Sequence, residues 1–233
     1  MHTWAMKNLP ANSQEPLRIL ECGSGNGTLL LSFLPKVSSS SDEESDSDDE
    51  AEGSGSRSYH LTGIDYSEDS IALSKRIEDA RRASLESPCD IVVDWRVGDL
   101  LNDTYDETWD LVMDKGTYDA LSLSDEVVEG TGKLPSLLYP EKVAQLVKEG
   151  GFFLITSCNF TEDEIKKRFG KKEIGESMMS KTAKLTCRPR VPVGQLTRAS
   201  SLTSSSRMPH PSFSFGGKSG TRVCTVAFRK LAS

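Results

Sequence analysis

The sequence of 233 residues lacks any apolar run that approaches the roughly 20 residues a membrane-spanning helix needs. Its first 30 residues also lack the order of basic, apolar and small residues that marks a signal peptide. These two absences argue against a membrane or secreted protein. At this length, one core built on one domain is the expectation.

Cysteine pairs and excess basic charge are missing as well. The five cysteines, at positions 22, 89, 158, 187 and 224, are odd in number and contain no CxxC pair. That argues against a disulfide framework and a zinc ribbon, so we expect a reducing, cytoplasmic setting and no metal. With 28 Lys and Arg against 35 Asp and Glu, the net charge of −7 argues against binding nucleic acid by bulk electrostatics.

Two segments have a strongly biased composition. Residues 38–58 contain eight acids and a single base, Arg57, among many serines. Residues 166–210 contain eleven Lys or Arg against two Glu, with many Ser, Thr and Pro. Such stretches bury too little apolar surface to fold as a core. We interpret 38–58 and about 171–207 as solvated insertions, with a partner-binding role as the alternative.

Between these segments the sequence alternates strand-like and helix-like stretches. Such alternation predicts an α/β fold with a mostly parallel, Rossmann-like sheet and helices on both faces. We place strands at 17–22, 59–65, 90–97, 109–113, 152–157 and 223–229. We place helices at 27–34, 67–82, 139–148 and 161–169.

The most specific local motif is the glycine-rich loop E-C-G-S-G-N-G at 21–27, directly after the first strand. Ligands of open α/β sheets bind at the carboxyl ends of strands, and glycines let the backbone approach them closely. Thr28 stands where the dinucleotide pattern GxGxxG needs its last glycine, so that pattern is excluded. A second glycine motif, GGKS at 216–219, lacks the glycine a phosphate loop needs at position 212, so we predict a hairpin turn there.

Acidic residues follow three successive strands of the predicted sheet. Asp65 ends the second strand, Asp99 the third and Asp114 the fourth. A carboxylate at the end of the second strand can accept the hydroxyls of a ribose. In dinucleotide-binding βαβ units this acid lies about 20 residues after the glycine-rich loop. The 42 residues from Gly23 to Asp65 fit that distance once the 21-residue insertion 38–58 is subtracted. A rim of carboxylates favours a cationic, adenosine-bearing cofactor, namely S-adenosylmethionine.

Four sequence blocks resemble the class I, or seven-stranded, S-adenosylmethionine-dependent methyltransferases. They are MDKGTYDALSL (113–123), GFFLITSCNFTEDEI (151–165), PSFSFGGKSG (211–220) and LTGIDYSEDSI (61–71). Within that class they are most similar to the Efm4-type protein-lysine methyltransferases of translation elongation factor 1-alpha. The resemblance covers 17–33, 59–169 and 211–230, and implies a seven-stranded sheet closed by a C-terminal antiparallel hairpin.

The resemblance implies roles for individual residues at the cofactor. The three glycines of the loop would approach the methionyl and ribose parts, and Glu21 the amino group. Asp65 would bind the ribose hydroxyls beside Tyr66, and Asp99 the adenine amino group beside Leu100. The complete cofactor set is Glu21, Gly23, Gly25, Asn26, Gly27, Asp65, Tyr66, Asp99, Leu100 and Asp114.

Substrate-channel candidates lie at the ends of the fourth and fifth strands: Asp114, Lys115, Tyr118, Asn159 and Phe160. The resemblance places the run Asp114–Thr117 around the transferred methyl group. Core packing remains the alternative for Tyr118 and Phe160, and a structural ion pair for Lys115. No catalytic general base is singled out.

The resemblance also leaves a misfit at the N-terminus, where relatives carry a longer cofactor-covering segment. We interpret 1–16 as a remnant of that cover, 17–230 as the methyltransferase domain, and the chain as truncated or alternatively spliced. We expect a monomeric enzyme with a protein substrate, elongation factor 1-alpha, and no need for nucleic acid or membrane.

Two other functions stay open at this point. One is methylation of a small molecule or a nucleic acid, although no [DNS]-P-P-[YFW] motif of an N6-adenine enzyme follows the fourth strand. The other is a non-catalytic interaction protein on the same fold, which uses the acidic and basic segments for docking.

Overall fold

The computed structural model describes residues 1–11, 13–35, 57–170, 212–215, 218–221 and 223–231. Most of the acidic insertion and all of the segment 171–207 therefore lie outside the described residues. The chain separates into two compact units, Met1–Gly98 and Asp99–Ser233.

The first unit is a parallel three-stranded arrangement with helical connections. Its elements are α1 (His2–Asn8), β1 (Leu17–Cys22), α2 (Thr28–Leu31), β2 (Tyr59–Asp65), α3 (Glu68–Ala83) and β3 (Val92–Val97). The strand order is β3-β2-β1, with both pairs parallel. In this register Cys22 pairs with Ile64, so the glycine-rich loop leaves β1 beside the end of β2.

The second unit combines parallel and antiparallel pairs. Its elements are β4 (Trp109–Lys115), α4 (Thr117–Leu121), α5 (Pro135–Leu146), β5 (Val147–Ser157), α6 (Glu162–Phe169), β6 (Ser212–Phe215), β7 (Lys218–Thr221) and β8 (Cys224–Arg229). The order is β4-β5-β8, with β4 parallel and β8 antiparallel to β5. β6 and β7 form a separate antiparallel pair.

The predicted α/β alternation and its local start signals are confirmed. Ser67 caps α3 by accepting a hydrogen bond from the Ser70 amide at 3.2 Å. Thr161 forms a complete capping box with Glu164 at the start of α6. The strands on either side of 216–217 confirm the hairpin, while those two glycines lie outside the described residues.

Parts of the element prediction were wrong. Residues 147–148 belong to β5 and not to a helix, since the buried Val147 pairs with Trp109 of β4 and this pairing overrides the helical pattern. The helix before β5 begins at Pro135 instead, where proline at the first position favours helix initiation. Neither α1, in which Trp4 is buried, nor the five-residue α4 is among the predicted helices.

Trp95 of β3 supports the glycine-rich loop from beneath. A Cβ atom at Gly63 would lie 2.3 Å from the Trp95 ring, and one at Gly27 would lie 2.4 Å from it. The indole Nε1 donates to Glu78 Oε2 of α3 at 2.7 Å, and Arg82 Nε donates to the other oxygen of the same carboxylate at 2.7 Å. These hydrogen bonds hold the indole in a position where its ring leaves no room for a side chain at Gly27 or Gly63.

Two sequence expectations can be compared with the described residues. None of the described helices is both long and apolar enough to cross a membrane. The four described cysteines, Cys22, Cys89, Cys158 and Cys224, are all free thiols.

We expect Gly63→Ala to lower the free energy of unfolding by about 1–3 kcal/mol, because the added methyl group overlaps the Trp95 ring in a close-packed interior. Urea unfolding measures this cost. In a Trp95→Leu background the same substitution should cost clearly less, since the overlapping ring atoms are gone. Strictly additive costs in the double variant would contradict the contact.

Candidate functional site

The glycine-rich loop after β1 adopts a backbone that glycine favours at every second position. Gly23, Gly25 and Gly27 have φ values of 63°, 55° and 72°, in the left-handed region that L side chains rarely adopt. The loop is anchored by the Ser24 amide, which donates to the Ile64 carbonyl at 3.0 Å. The motif thus encodes a specific turn and not merely a flexible connection.

Asp65 meets this loop directly. One carboxylate oxygen accepts the Gly25 amide at 2.8 Å, and the other accepts the Ser67 amide at 2.9 Å. Ser74 of α3 donates its hydroxyl to the Gly25 carbonyl at 2.9 Å. A Cβ atom at Gly25 would meet nothing within 4 Å, so the space next to this residue is open. The structure therefore brings together two predicted site residues 40 positions apart.

The other predicted site residues of the first unit differ in their exposure to solvent. Glu21 is buried, and one of its oxygens accepts the Leu30 amide at 3.0 Å, which caps α2 in place of the missing side chain of Gly27. Asn26 is exposed and accepts from the Thr28 amide and hydroxyl. Tyr66 is 84% exposed. The roles of these residues at the cofactor stay predictions.

Asp99 organises a turn at the start of the second unit. Its carboxylate accepts from the Leu101 amide at 2.8 Å and from the Asn102 side chain at 2.7 Å. Its own amide donates to Asp103. Asp99 is exposed while Leu100 beside it is buried, so the carboxylate remains reachable and its predicted adenine contact stays a prediction.

Asp114 is fully buried at the end of β4. It accepts hydrogen bonds from the Thr117 amide at 2.9 Å, the Tyr118 amide at 3.0 Å and the Tyr139 hydroxyl at 2.7 Å. Burial raises the pKa of this carboxyl to about 7, against the opposing effect of these three donors. The side chain thus holds the turn that starts α4, and in this structure it does not face an open channel.

The aromatic channel candidates belong to a cluster of rings. Tyr118 is fully buried, with its ring 6.0 Å from that of Tyr139, 5.2 Å from that of Phe160 and 4.9 Å from that of Phe169. Core packing, the alternative left open for Tyr118, therefore fits its position. Phe160 is only half-buried, and the Arg168 guanidinium lies 5.1 Å from its ring centre.

The remaining two candidates are exposed. Lys115 makes no ion pair with any described residue, so the structure gives no support to the structural ion pair considered for it. Asn159 is exposed in the turn after β5, and its side chain makes no hydrogen bond within the described part of the chain.

Asp119 and Ser157 were missed by the sequence reasoning. Both are buried, and Ser157 Oγ donates to Asp119 at 2.5 Å, next to the β5–α6 turn that carries the candidates Asn159 and Phe160. The only sequence signal was a second acid five residues after Asp114 in the DKGTYDA block, which by itself indicates no contact.

Comparisons with known proteins identify the family of this chain. A family model described as a methyltransferase domain matches residues 13–196, more than half of the chain. The protein-lysine N-methyltransferase efm4 of Schizosaccharomyces pombe is 31% identical over 92% of this chain and 70% of its own length. The Saccharomyces cerevisiae EFM4 is 35% identical over 73% of this chain and 59% of its own length. The human EEF1A lysine methyltransferase 2 is 29% identical over 91% of this chain and 65% of its own length.

A solved structure supports the fold. The N-methyltransferase NodS of Bradyrhizobium japonicum, in complex with S-adenosyl-L-homocysteine, superposes with a TM-score of 0.50 at 13% identity, over 98% of this chain and 84% of that one. The predicted Rossmann-like class is thereby confirmed. The chain spans 59% to 70% of the length of the three curated relatives named above. By family model and by identity, this chain belongs to the S-adenosylmethionine-dependent protein-lysine N-methyltransferases of the Efm4 family.

Proposed function

We propose that this chain transfers a methyl group from S-adenosylmethionine to a lysine of translation elongation factor 1-alpha. The similarity to relatives named as EEF1A lysine methyltransferase 2 supports this choice of substrate. The bond between Asp65 and the Gly25 amide is the structural observation that carries the cofactor part of the proposal.

The residues of the first unit fit a nucleoside cofactor. A carboxylate offers about four acceptor positions. Asp65 uses one on each oxygen for a backbone amide, which leaves acceptors for both hydroxyls of a ribose. The open space at Gly25 admits a ligand close to the backbone. When bound, S-adenosylmethionine supplies an electrophilic methyl group on a sulfonium.

The lysine side chain must be neutral when it reacts, since only the neutral amine has a free electron pair. A free lysine has a pKa of about 10.4. Desolvation and a nearby positive charge both lower that pKa, so a narrow site beside a cation favours loss of the proton. The half-buried ring of Phe160 and the exposed side-chain carboxamide of Asn159 are suited to orient the substrate lysine. Orientation then supplies much of the rate acceleration.

We expect Asp65→Ala and Gly25→Val each to abolish measurable binding of S-adenosylmethionine in titration calorimetry. The first removes the ribose acceptor and the anchor of the loop, and the loss of hydrogen bonds to a charged group alone is worth about 10-fold to 100-fold in affinity. The second puts a branched side chain at a left-handed position and into the ligand space. Asp79→Ala, an exposed acid on α3, serves as the matched control and should bind normally. Unchanged affinity for S-adenosylmethionine in both variants would refute the assignment of the cofactor site to Asp65 and the glycine-rich loop.

Incubation with methyl-labelled cofactor and purified elongation factor 1-alpha should place label on the factor. Peptide mass mapping then identifies the lysine and the number of methyl groups. Label on a nucleic acid or a small molecule, with none on the factor, would favour the first alternative function. Retained binding to the factor without label on any substrate would favour the non-catalytic alternative.

The raised pKa of Asp114 predicts a pH dependence of stability. Its carboxyl titrates at about 7 in the folded chain, against an unfolded value of 3.8. The folded state therefore binds the proton more tightly, and the stability gained from this proton is complete below about pH 4 and lost as the pH rises through about 7. Urea unfolding between pH 4 and 8 should show this loss in the wild type.

Substitutions around Asp114 test the assignment. Asp114→Asn should flatten that part of the profile, because the titrating group is gone. Tyr139→Phe removes a hydrogen bond that lowers the Asp114 pKa, and so should move the loss to higher pH. Tyr59→Phe, at another buried tyrosine, should leave the shape of the profile as in the wild type. The same profile in wild type and Asp114→Asn would refute the assignment.

A further inference from the structure

The turn between β5 and α6 is held by two buried side chains. The Cys158 amide donates to Asp119 Oδ2 at 2.8 Å. The amides of the next two residues, Asn159 and Phe160, both donate to Ser157 Oγ, at 3.2 Å and 3.0 Å. Three successive backbone amides are thus satisfied by one carboxylate and one hydroxyl.

The direction of the hydrogen bond between Ser157 and Asp119 follows from this arrangement. A serine hydroxyl has one proton and two acceptor positions. Both acceptor positions of Ser157 are occupied by amides, so its proton goes to Asp119 Oδ1, 2.5 Å away. Asp119 is 8% exposed and Ser157 is 1% exposed, so water does not readily replace either partner. Loss of one group would leave buried donors unpaired, which is costly.

The same two side chains link the two turns that flank the proposed site. Asp119 lies on α4, whose first turn is fixed by Asp114 at the end of β4. The Gly116 amide donates to the Thr156 carbonyl of β5 at 3.2 Å, which joins the two strand ends through the backbone. The bond from Ser157 to Asp119 adds a side-chain link between the same two segments.

The turn then offers side chains, and not backbone donors, to a ligand. Its three amides are already engaged, while the Asn159 side chain is exposed and makes no hydrogen bond to a described residue. Phe160 is also held at its carbonyl, which accepts from Cys224 Sγ at 3.1 Å.

We propose that Asp119 and Ser157 are positioning residues, which hold Asn159 and Phe160 in the orientation that receives the substrate lysine. The inference rests on the proposed function and assigns work within that site to two residues that touch neither substrate nor cofactor. A misplacement of about 1 Å at a reacting group can reduce the rate about 100-fold. We therefore expect the effect in kcat or in the KM for the protein substrate, and not in the affinity for S-adenosylmethionine.

The experiment compares full-chain variants in the methylation of elongation factor 1-alpha. Ser157→Ala and Asp119→Asn should each lower kcat/KM at least about 10-fold, as expected when a positioned group is displaced. An asparagine has one acceptor oxygen where Asp119 uses two, so it keeps only one of the two bonds. Ser157→Thr keeps the hydroxyl and should recover activity to within a few fold of the wild type. Calorimetry should show the same cofactor affinity, within about twofold, in all of them.

Two further variants separate positioning from loss of structure. Ser122→Ala removes a hydroxyl bond to the Tyr118 carbonyl of α4 without touching the turn, and should keep wild-type kcat/KM. Asn159→Ala changes an exposed side chain, so it should fold normally and still lower kcat/KM. If Ser157→Ala and Asp119→Asn fail to fold, lowered activity in Asn159→Ala supports the inference, and undiminished activity overturns it because the residue that the two side chains are proposed to hold is then not needed.

Two failures are distinguishable. A wild-type chain that does not label the factor overturns the proposed function, and this inference with it. A wild-type chain that labels the factor, together with undiminished activity in Ser157→Ala, Asp119→Asn or Asn159→Ala, overturns only the inference. Parallel loss of cofactor affinity in Ser157→Ala would also overturn it, because the effect would then be a general collapse of the fold.

Discussion

The hydrogen bond from the Gly25 amide to Asp65 is the contact on which the shape of the glycine-rich loop in the first unit depends. It joins the end of β2 to a loop that begins 40 residues earlier in the chain, and it exists only because the loop turns through left-handed backbone at Gly23, Gly25 and Gly27. The parallel pairing of β1 with β2 brings the two strand ends side by side. One acid therefore both shapes the loop and retains acceptors for a ligand.

The second unit uses buried acids in a different manner. Asp114 and Asp119 each accept backbone amides at the first turn of a connection, one after β4 and the other after β5. Neither is placed as a solvent-facing catalytic group. Their observed contribution is to fix the backbone at two neighbouring strand ends. A backbone fixed in this way suits a reaction in which positioning supplies much of the acceleration.

Local signals in the sequence were sufficient for most of the strands and helices and for the meeting of the glycine-rich loop with Asp65. Ser67 and Thr161 start their helices with ordinary capping chemistry, and the glycine-rich loop with Asp65 follows from spacing. The pairing of Val147 with Trp109 could not be predicted from the sequence, because it depends on burial within a strand pair rather than on the local residue pattern. Asp119 was equally inaccessible, since its partners lie 38 and 39 residues away and depend on the register of β4 and β5.

Trp95 gives the glycine-rich loop a property that its sequence alone does not suggest. Glycines ordinarily make a loop flexible, and a flexible loop loses entropy when a ligand orders it. Here a rigid indole fills the space beneath Gly27 and Gly63 and is itself tied to Glu78. This packing restricts the conformations open to the loop in the absence of a ligand, and a loop that is already ordered loses less entropy on binding. At the proposed cofactor site, Trp95 would then contribute to affinity through preorganisation of the loop.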